Sequence, residues 1–390
     1  MPHAVIRTPP RDGALLAECA ALKQALERHP TLRSLWTSAE WPDLERRLGA
    51  LLTTVHRYRP ASDPGPPRDP GQVRAVHWNI EHGNWYPRVE SALLAHPDLR
   101  EADVLFFNEI DLGMARAGNR DVAGDLCASL QRHGVYLPLF LETTIGRDDD
   151  ASTAGGQPNQ ESLFGIAILS RWPIGEVRAV DLPSPVRHQF EGERMYGRHA
   201  ALVAEILRPG APFVAVAAHL EVHRTRAERD QQVRTALAAL NGERRPILFA
   251  GDFNTHTFDR GRPWDPLFGA AVLMLAPSAV LNRRLLFPDR GPARERLFDA
   301  LAGAGFTWEP LVDRAPTLAL RFDRLEEVEI LFGPLAPAAR RALRWAERRG
   351  RLRLDWFAAR GWSGGRGHTV TGLDGAGQAS DHAPIVAELW

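Results

Sequence analysis

A chain of 390 residues with 44% hydrophobic content can bury a large core, as one big domain or two ordinary ones. Its 48 basic and 48 acidic residues cancel, so no overall field draws it to nucleic acid or to an anionic membrane, although balance leaves room for a local basic groove. Two cysteines in separate segments, Cys19 and Cys127, argue against a disulfide framework and against a zinc–thiolate site. Lys23 is the single lysine among the basic residues, a skew of the kind that a GC-rich genome produces, and composition alone attaches no function to it.

The opening MPHAVIRTPPRDG lacks the basic start and apolar run of a signal peptide, and no stretch is apolar for long enough to cross a bilayer, so a soluble cytoplasmic protein is expected. Leu15, Leu16, Cys19, Leu22 and Leu26 recur at helical spacing, and Pro30 ends the run. A second helical pattern carries Leu44, Leu48, Leu51 and Leu52. Residues 1–60 therefore read as a helical extension, either packed on the main domain or docking a partner. The Pro-, Gly- and Asp-rich stretch within 61–72 reads as a linker.

From residue 73 the texture changes to short apolar runs: 74–80, 102–110, 164–170, 198–207, 212–220, 245–254, 353–361 and 383–390. Each has strand length and is rich in Val, Ile, Leu and Phe, which suits sheets covered on both faces. A helical pattern lies at 225–240, with Ala227, Val233, Leu237 and Leu240 on its expected inner face. Strands outnumber helices and several follow one another directly, which predicts two packed sheets with helices outside rather than one doubly wound sheet. The segment 146–160 reads as a polar loop whose Asp148, Asp149 and Asp150 form a solvated turn. Residues 258–350 are too long for a simple connection and are expected to hold structure of their own.

The chemistry-bearing pattern lies at the strand ends. Run after run finishes in a carboxylate, carboxamide or imidazole: Asn79 and Glu81, Glu109, His219, Asp252 and Asn254, Asp355, then Asp381 and His382 before the last run. Such repetition points to one rim where these groups converge. Oxygen donors without thiolates favour Mg2+, or Mn2+, over zinc, and leave the imidazoles for proton handling and charge stabilisation.

In order, HWNIEHGN, FFNEID, FGIAILSRWPI, YGRHAAL, AAHLEVH, AGDFN, RLDWF and SDHAPI resemble the successive motifs of the endonuclease/exonuclease/phosphatase superfamily over about residues 73–390. The resemblance implies an α+β, four-layered sandwich of two mostly antiparallel sheets flanked by helices. It implies magnesium-dependent hydrolysis of phosphate esters, by a phosphodiesterase, nuclease or phosphatase. It also implies roles: Glu109 as principal metal ligand, with Asn79 and Asp381 beside it; Asp252 as the residue that orients or activates water; Asn254 on the phosphate; His382 facing the phosphate, with Asp355 fixing its tautomer; His219 as a second histidine; Arg198 near the phosphate or paired with a site acid. Glu81 shares a strand face with Asn79 if the extended conformation continues, and metal contact there stays open. His77, His223 and His256 read as surface or supporting groups.

The loops carry no subfamily signature, so nucleic acid, phospholipid and small metabolite all remain as substrates. Arg283, Arg284, Arg290, Arg294 and Arg296 with Trp308 and Trp345 form either a nucleic-acid groove or solvated faces and core tryptophans. The apolar segment 269–281 either dips into a lipid interface or forms the core of the insertion. The alternative class is a non-catalytic binding module on the same fold, which should have lost metal- or water-handling residues; none of those positions is degraded here.

Overall fold

The computed structural model describes the chain except for residues 1–4, 9, 147–148, 185–187, 190–192, 223–224, 256–271, 273–274, 292–293, 320–332, 336, 338–340, 342–344, 346–348 and 375–377. Its strands are β1 (Val5–Arg7), β2 (Thr54–Tyr58), β3 (Val73–Asn79), β4 (Val104–Leu112), β5 (His133–Glu142), β6 (Leu163–Ser170), β7 (Ile174–Asp181), β8 (His188–Gln189) and β9 (Met195–Gly197). There follow β10 (Ala200–Ile206), β11 (Phe213–His219), β12 (Ile247–Asp252), β13 (Leu318–Ala319), β14 (Arg351–Leu352), β15 (Asp355–Arg360), β16 (Gly365–Thr369) and β17 (Ile385–Leu389). All eight expected apolar runs contain one of these strands.

The larger sheet has the order β1-β2-β5-β6-β4-β3-β17-β16, with β9 on β5 and β8 on β9; the smaller has the order β15-β12-β11-β10-β7. Pairing is mostly antiparallel, with parallel exceptions at β1/β2, β3/β4 and β11/β12. Side chains alternate across a strand, and both faces here are covered. Phe106 therefore lies between the sheets with Ile166, Ala215, Leu248 and Phe357, while its neighbour Phe107 joins the outer layer with Leu15, Leu22, Val89 and Leu126. The outer face of the smaller sheet packs Val216 and Phe249 on Val233, Leu237, Leu297 and Leu301. Helix, sheet, sheet and helix thus stack as four layers, the expected α+β sandwich.

Nine of the seventeen strands lie outside those runs, and four of them show why. β5 contains Pro138, which cannot donate to a ladder, and its register shifts between Pro138 and Phe140. β7 is an edge strand with one buried face, so its polar alternation lacks the continuous run of the inner strands. β16, with the sequence GRGHT, is likewise an edge strand. β2 follows the second helix directly and pairs with β5, so residues 54–58 extend the sheet rather than the helix.

The helix Gly13–Glu27 is capped by Asp12, whose side chain accepts from Leu15 N; it buries Leu15, Cys19, Leu22 and Leu26 and leaves Leu16 outside. The helix Trp41–Thr53 buries all four of its leucines. Helix Arg226–Ala238 starts at a Thr225/Glu228 capping box. Of its expected inner face Val233, Leu237 and Leu240 are buried and Ala227 is exposed; Arg229 is buried as well, paired with Glu295 at 2.9 Å with both side chains inaccessible. Residues 61–71 form neither helix nor strand, and carbonyls of Pro64, Gly65 and Pro66 accept hydrogen bonds from Arg171. Both cysteines are free and buried. Among the described residues no helix is long and apolar enough to cross a membrane.

Candidate active site

Register brings the polar strand ends together. In the smaller sheet His219 is the direct neighbour of Asp252, and Asp252 of Asp355, so three functional groups stand in one row. In the larger sheet Asn79 is level with Asn108, next to Glu109. The sheets are then tied across their shared layer at this end. Asp252 N donates to Asn108 Oδ1 at 2.8 Å, His77 Nε2 lies 2.8 Å from Asp355 Oδ1, and Asn79 Nδ2 donates to Asp252 Oδ2 at 3.4 Å.

Two residues here adopt left-handed backbone that side chains rarely take, Glu109 at φ 51° and Asn254 at φ 47°. At Glu109 the β4/β6 register slips between Phe107 and Ile110, and this bulge turns the carboxylate toward the rim. Asn79 Nδ2 donates to Glu109 Oε1 at 2.9 Å. Asn254 N donates to Asp252 Oδ1 at 2.8 Å and its side chain to Leu220 O at 2.8 Å, so Asn254 holds Asp252 and the strand end together.

His382 is held from behind. Its Nδ1 lies 2.8 Å from Asp355 Oδ2, the other oxygen of Asp355 engages His77, and Trp78 Nε1 donates to the His382 carbonyl at 2.9 Å. The free Nε2 then lies 3.8 Å from Asp252 Oδ2, while His219 Nε2 lies 3.7 Å from the same oxygen and 3.8 Å from Glu109 Oε1. Burial alone would lower the His382 pKa, but the charges of Asp355 and Asp381 and the Asp355 hydrogen bond outweigh it and hold the ring protonated. Burial would likewise raise Asp355, but the His382 charge and the bonds from both histidines keep it well below the usual carboxylate range. His219, buried beside His199 and His382, is pushed down to about 3 and stays neutral.

Glu109 is pushed up to about 8, first by burial and then by the charge of Asp381; Asp252 is pushed up to about 6, by burial and by Asp355. These acids crowd together with too little positive charge beside them. Oxygen donors in that state fit a hard divalent cation. Asp252, Asp355 and His382 do offer three ligating atoms within 4.8 Å of one another. Both Asp355 oxygens, however, already accept imidazole bonds, which engages Asp355 in holding His77 and His382.

Some sequence expectations fall elsewhere. Arg198 is not brought to this cluster: its Nε bonds Asp181 at 2.5 Å and its Nη1 the Leu52 carbonyl at 3.1 Å, because Arg198 follows β9, which packs beside the helix Trp41–Thr53. Glu81 does not continue the β3 face, since β3 ends at Asn79 and Glu81, His82 and Gly83 turn through positive φ. Asp150 is not a solvated turn residue: Asn84 donates to it at 2.6 Å and Arg116 lies 3.4 Å away. Asp148, His223 and His256 lie outside the described residues. Of the candidate groove, Trp308 is buried, Trp345 is exposed, and Arg290 and Arg294 pair with Asp289 and Asp299. In the 269–281 segment Leu281 is buried with Leu285, Leu352 and Leu354, while Leu275 and Val280 are exposed.

Sequence reasoning missed a charge hub behind Glu109. Arg116, fully buried, bonds Asp111 at 2.7 and 3.1 Å and lies 3.0 Å from Glu142. His82 stands between hub and site, with Nε2 3.6 Å from Glu109 Oε2 and 3.8 Å from Asp150 Oδ2. Asn108 was also missed, although it directly precedes Glu109; its role depends on a partner 144 residues away.

The structure is thus a two-sheet sandwich whose paired strand ends gather acids, amides and imidazoles at one rim. The match to the family model described as "Endonuclease/Exonuclease/phosphatase family" spans residues 76–382, and the chain belongs to that family. Among solved structures it is similar to an endonuclease/exonuclease/phosphatase from Beutenbergia cavernae DSM 12333, at 18% identity over 82% of this chain and 71% of that one, with a TM-score of 0.48. It is also similar to the human Nocturnin catalytic domain with bound sulfate anion, at 14% identity over 82% and 93% of the two chains, TM-score 0.43. Truncated Caenorhabditis elegans TDP2 is similar at 14% identity over 82% and 98%, TM-score 0.43. None of the curated proteins compared with the chain matches it.

Proposed function

We propose that the protein hydrolyses phosphate esters by in-line attack of water, with a divalent cation, Mg2+ or Mn2+, as cofactor. The observation that carries this reading is the pairing of a buried acid, Asp252, with an imidazole held by Asp355, His382, whose Nε2 lies 3.8 Å from Asp252 Oδ2 at the end of the inter-sheet layer. Asp252, with a pKa near 6, is ionised at neutral pH and can orient an attacking water and accept its proton. His382 carries its proton on the side facing that water and can donate to a phosphoryl oxygen as charge builds there. Asp355 and His77 fix the ring so that the donor is in place before substrate arrives. Asn79 spans Glu109 and Asp252 and keeps the two acids in register. Neutral His219 offers one further hydrogen-bonding nitrogen. Glu109, Asp252 and Asp381 would hold the cation. Such an ion supplies charge neutralisation for the phosphoryl and leaving oxygens.

The test is turnover of bis-p-nitrophenyl phosphate with Mg2+ or Mn2+, before and after EDTA. Glu109→Gln, Asp252→Asn and His382→Ala should each lose at least about 10²-fold in turnover while staying folded. Unchanged rates in all three end the proposal. Plasmid DNA, RNA, an abasic duplex, sphingomyelin and inositol phosphates, run in parallel, then separate the substrate classes.

A further inference from the structure

The chain's single lysine, Lys23, lies on the outer helix Gly13–Glu27, far in sequence from every site residue. Its Nζ donates to three acceptors on one short segment: the Asn159 carbonyl at 2.8 Å, the Gln160 carbonyl at 2.5 Å and Ser162 Oγ at 2.9 Å. An ammonium carries three N–H bonds diverging as a tripod from one atom, and this arrangement uses all of them. A guanidinium spreads its donors over a flat fork and cannot meet three acceptors from one nitrogen. The only lysine among 48 basic residues thus stands where arginine could not replace it.

The gripped segment is itself locked to the strand that carries Glu109. Ser162 has φ 65°, a strained value for a residue with a side chain. Gln160 N and Ser162 N both donate to the Gly113 carbonyl, at 2.8 and 3.1 Å. Asn159 Oδ1 accepts from Ala115 N at 2.8 Å. A Cβ on Gly113 would lie 2.0 Å from Glu161 Oε2, so the two segments touch with no space between them. Arg11, also in the N-terminal extension, adds a two-pronged bond to buried Glu161 at 2.7 and 2.8 Å. Gly113 follows β4 directly, and Ala115 opens the turn that presents Arg116 to Asp111 and Asp150. His82 then links that hub to Glu109.

We propose that Lys23 is a positioning residue, through which the N-terminal extension sets the acidic side of the active site. Its effect on turnover rests on the phosphate-ester reading; its effect on the strand end does not. Lys23 clamps 159–162, that segment fixes Gly113 and Ala115, and these fix the bulged end of β4 and the Arg116 hub. Contiguity alone does not prove coupling, so the measurements must be energetic.

The experiment compares full-length wild type, Lys23→Met, Lys23→Arg and a control, Arg47→Ala. The control removes the Arg47–Glu18 ion pair of the same helices without touching the clamp. Amide hydrogen exchange over 113–117 and 159–162 should quicken about tenfold or more in both Lys23 variants and not in the control. With bis-p-nitrophenyl phosphate, kcat should fall about tenfold in both, with KM within about twofold, because the acids and not the substrate contacts are displaced. Full rescue by arginine overturns the tripod argument. Exchange and kcat no different from Arg47→Ala, or faster exchange with unchanged kcat, overturn the positioning role. Wild-type turnover checks the phosphate-ester reading separately, and the exchange measurement decides the clamp whichever way that check falls.

Discussion

Glu109 offers a test that needs no substrate. Its carboxyl rises from the ordinary 4.5 to about 8, because burial and the neighbouring Asp381 disfavour the charged form. Such a group stabilises the fold fully below pH 4.5, where both states are protonated alike, and opposes it increasingly as pH rises through about 8. The gap corresponds to on the order of 5 kcal/mol, at roughly 1.4 kcal/mol per pH unit, lost between those limits in metal-free protein. Glu109→Gln keeps the shape and still accepts the Asn79 hydrogen bond, but it cannot ionise. Urea unfolding in EDTA at pH 5, 7 and 9 should therefore show wild-type stability falling steeply while the variant falls less, the variant becoming the more stable above neutrality. Saturating Mg2+ should recover wild-type stability at pH 9 and do much less for the variant. Parallel pH profiles for the two proteins, or an equal response to Mg2+, would refute the account of the crowded acids.

Other consequences follow from the same contacts. Arg116→Met strips the buried partner from Asp111 and Glu142 and should cost about 3–5 kcal/mol by urea unfolding, with a larger loss at pH 9 than at pH 5 because both acids already sit high, near 6 and 8. Asp355→Asn removes the charge that keeps His382 protonated. Turnover should fall about 10²–10⁴-fold at neutral pH, and the limb where activity is lost with rising pH should move to lower pH in a pH–rate profile. Gly113→Ala forces a Cβ to within 2.0 Å of Glu161 Oε2 at φ 67°, and should cost more than about 2 kcal/mol in thermal or urea unfolding.

How far the sequence alone reaches depends on the range of the physics involved. Strands buried on both faces announce themselves as apolar runs, which is why β3, β4, β11 and β12 were legible while β5, with Pro138 at a register slip, was not. Polar residues ending such runs, Asn79, Glu109, His219 and Asp252, were legible for the same reason: each breaks a local pattern. Arg198 misled because its motif is local and its partners, Asp181 and Leu52, are not. Asn108, Arg116 and His82 broke no pattern, and their meaning comes from acceptors on other elements.

Composition, periodicity and motif order thus determined the layer architecture and most of the rim, since burial and strand alternation are written residue by residue. Tertiary structure alone decided that Glu109 turns inward on a bulge, that an arginine hub backs it, and that the single lysine grips the segment beside it. Those features rest on contacts between separate segments of the chain, 136 residues apart for Lys23 and Asn159, and nothing in the local sequence records which partner the fold will bring near.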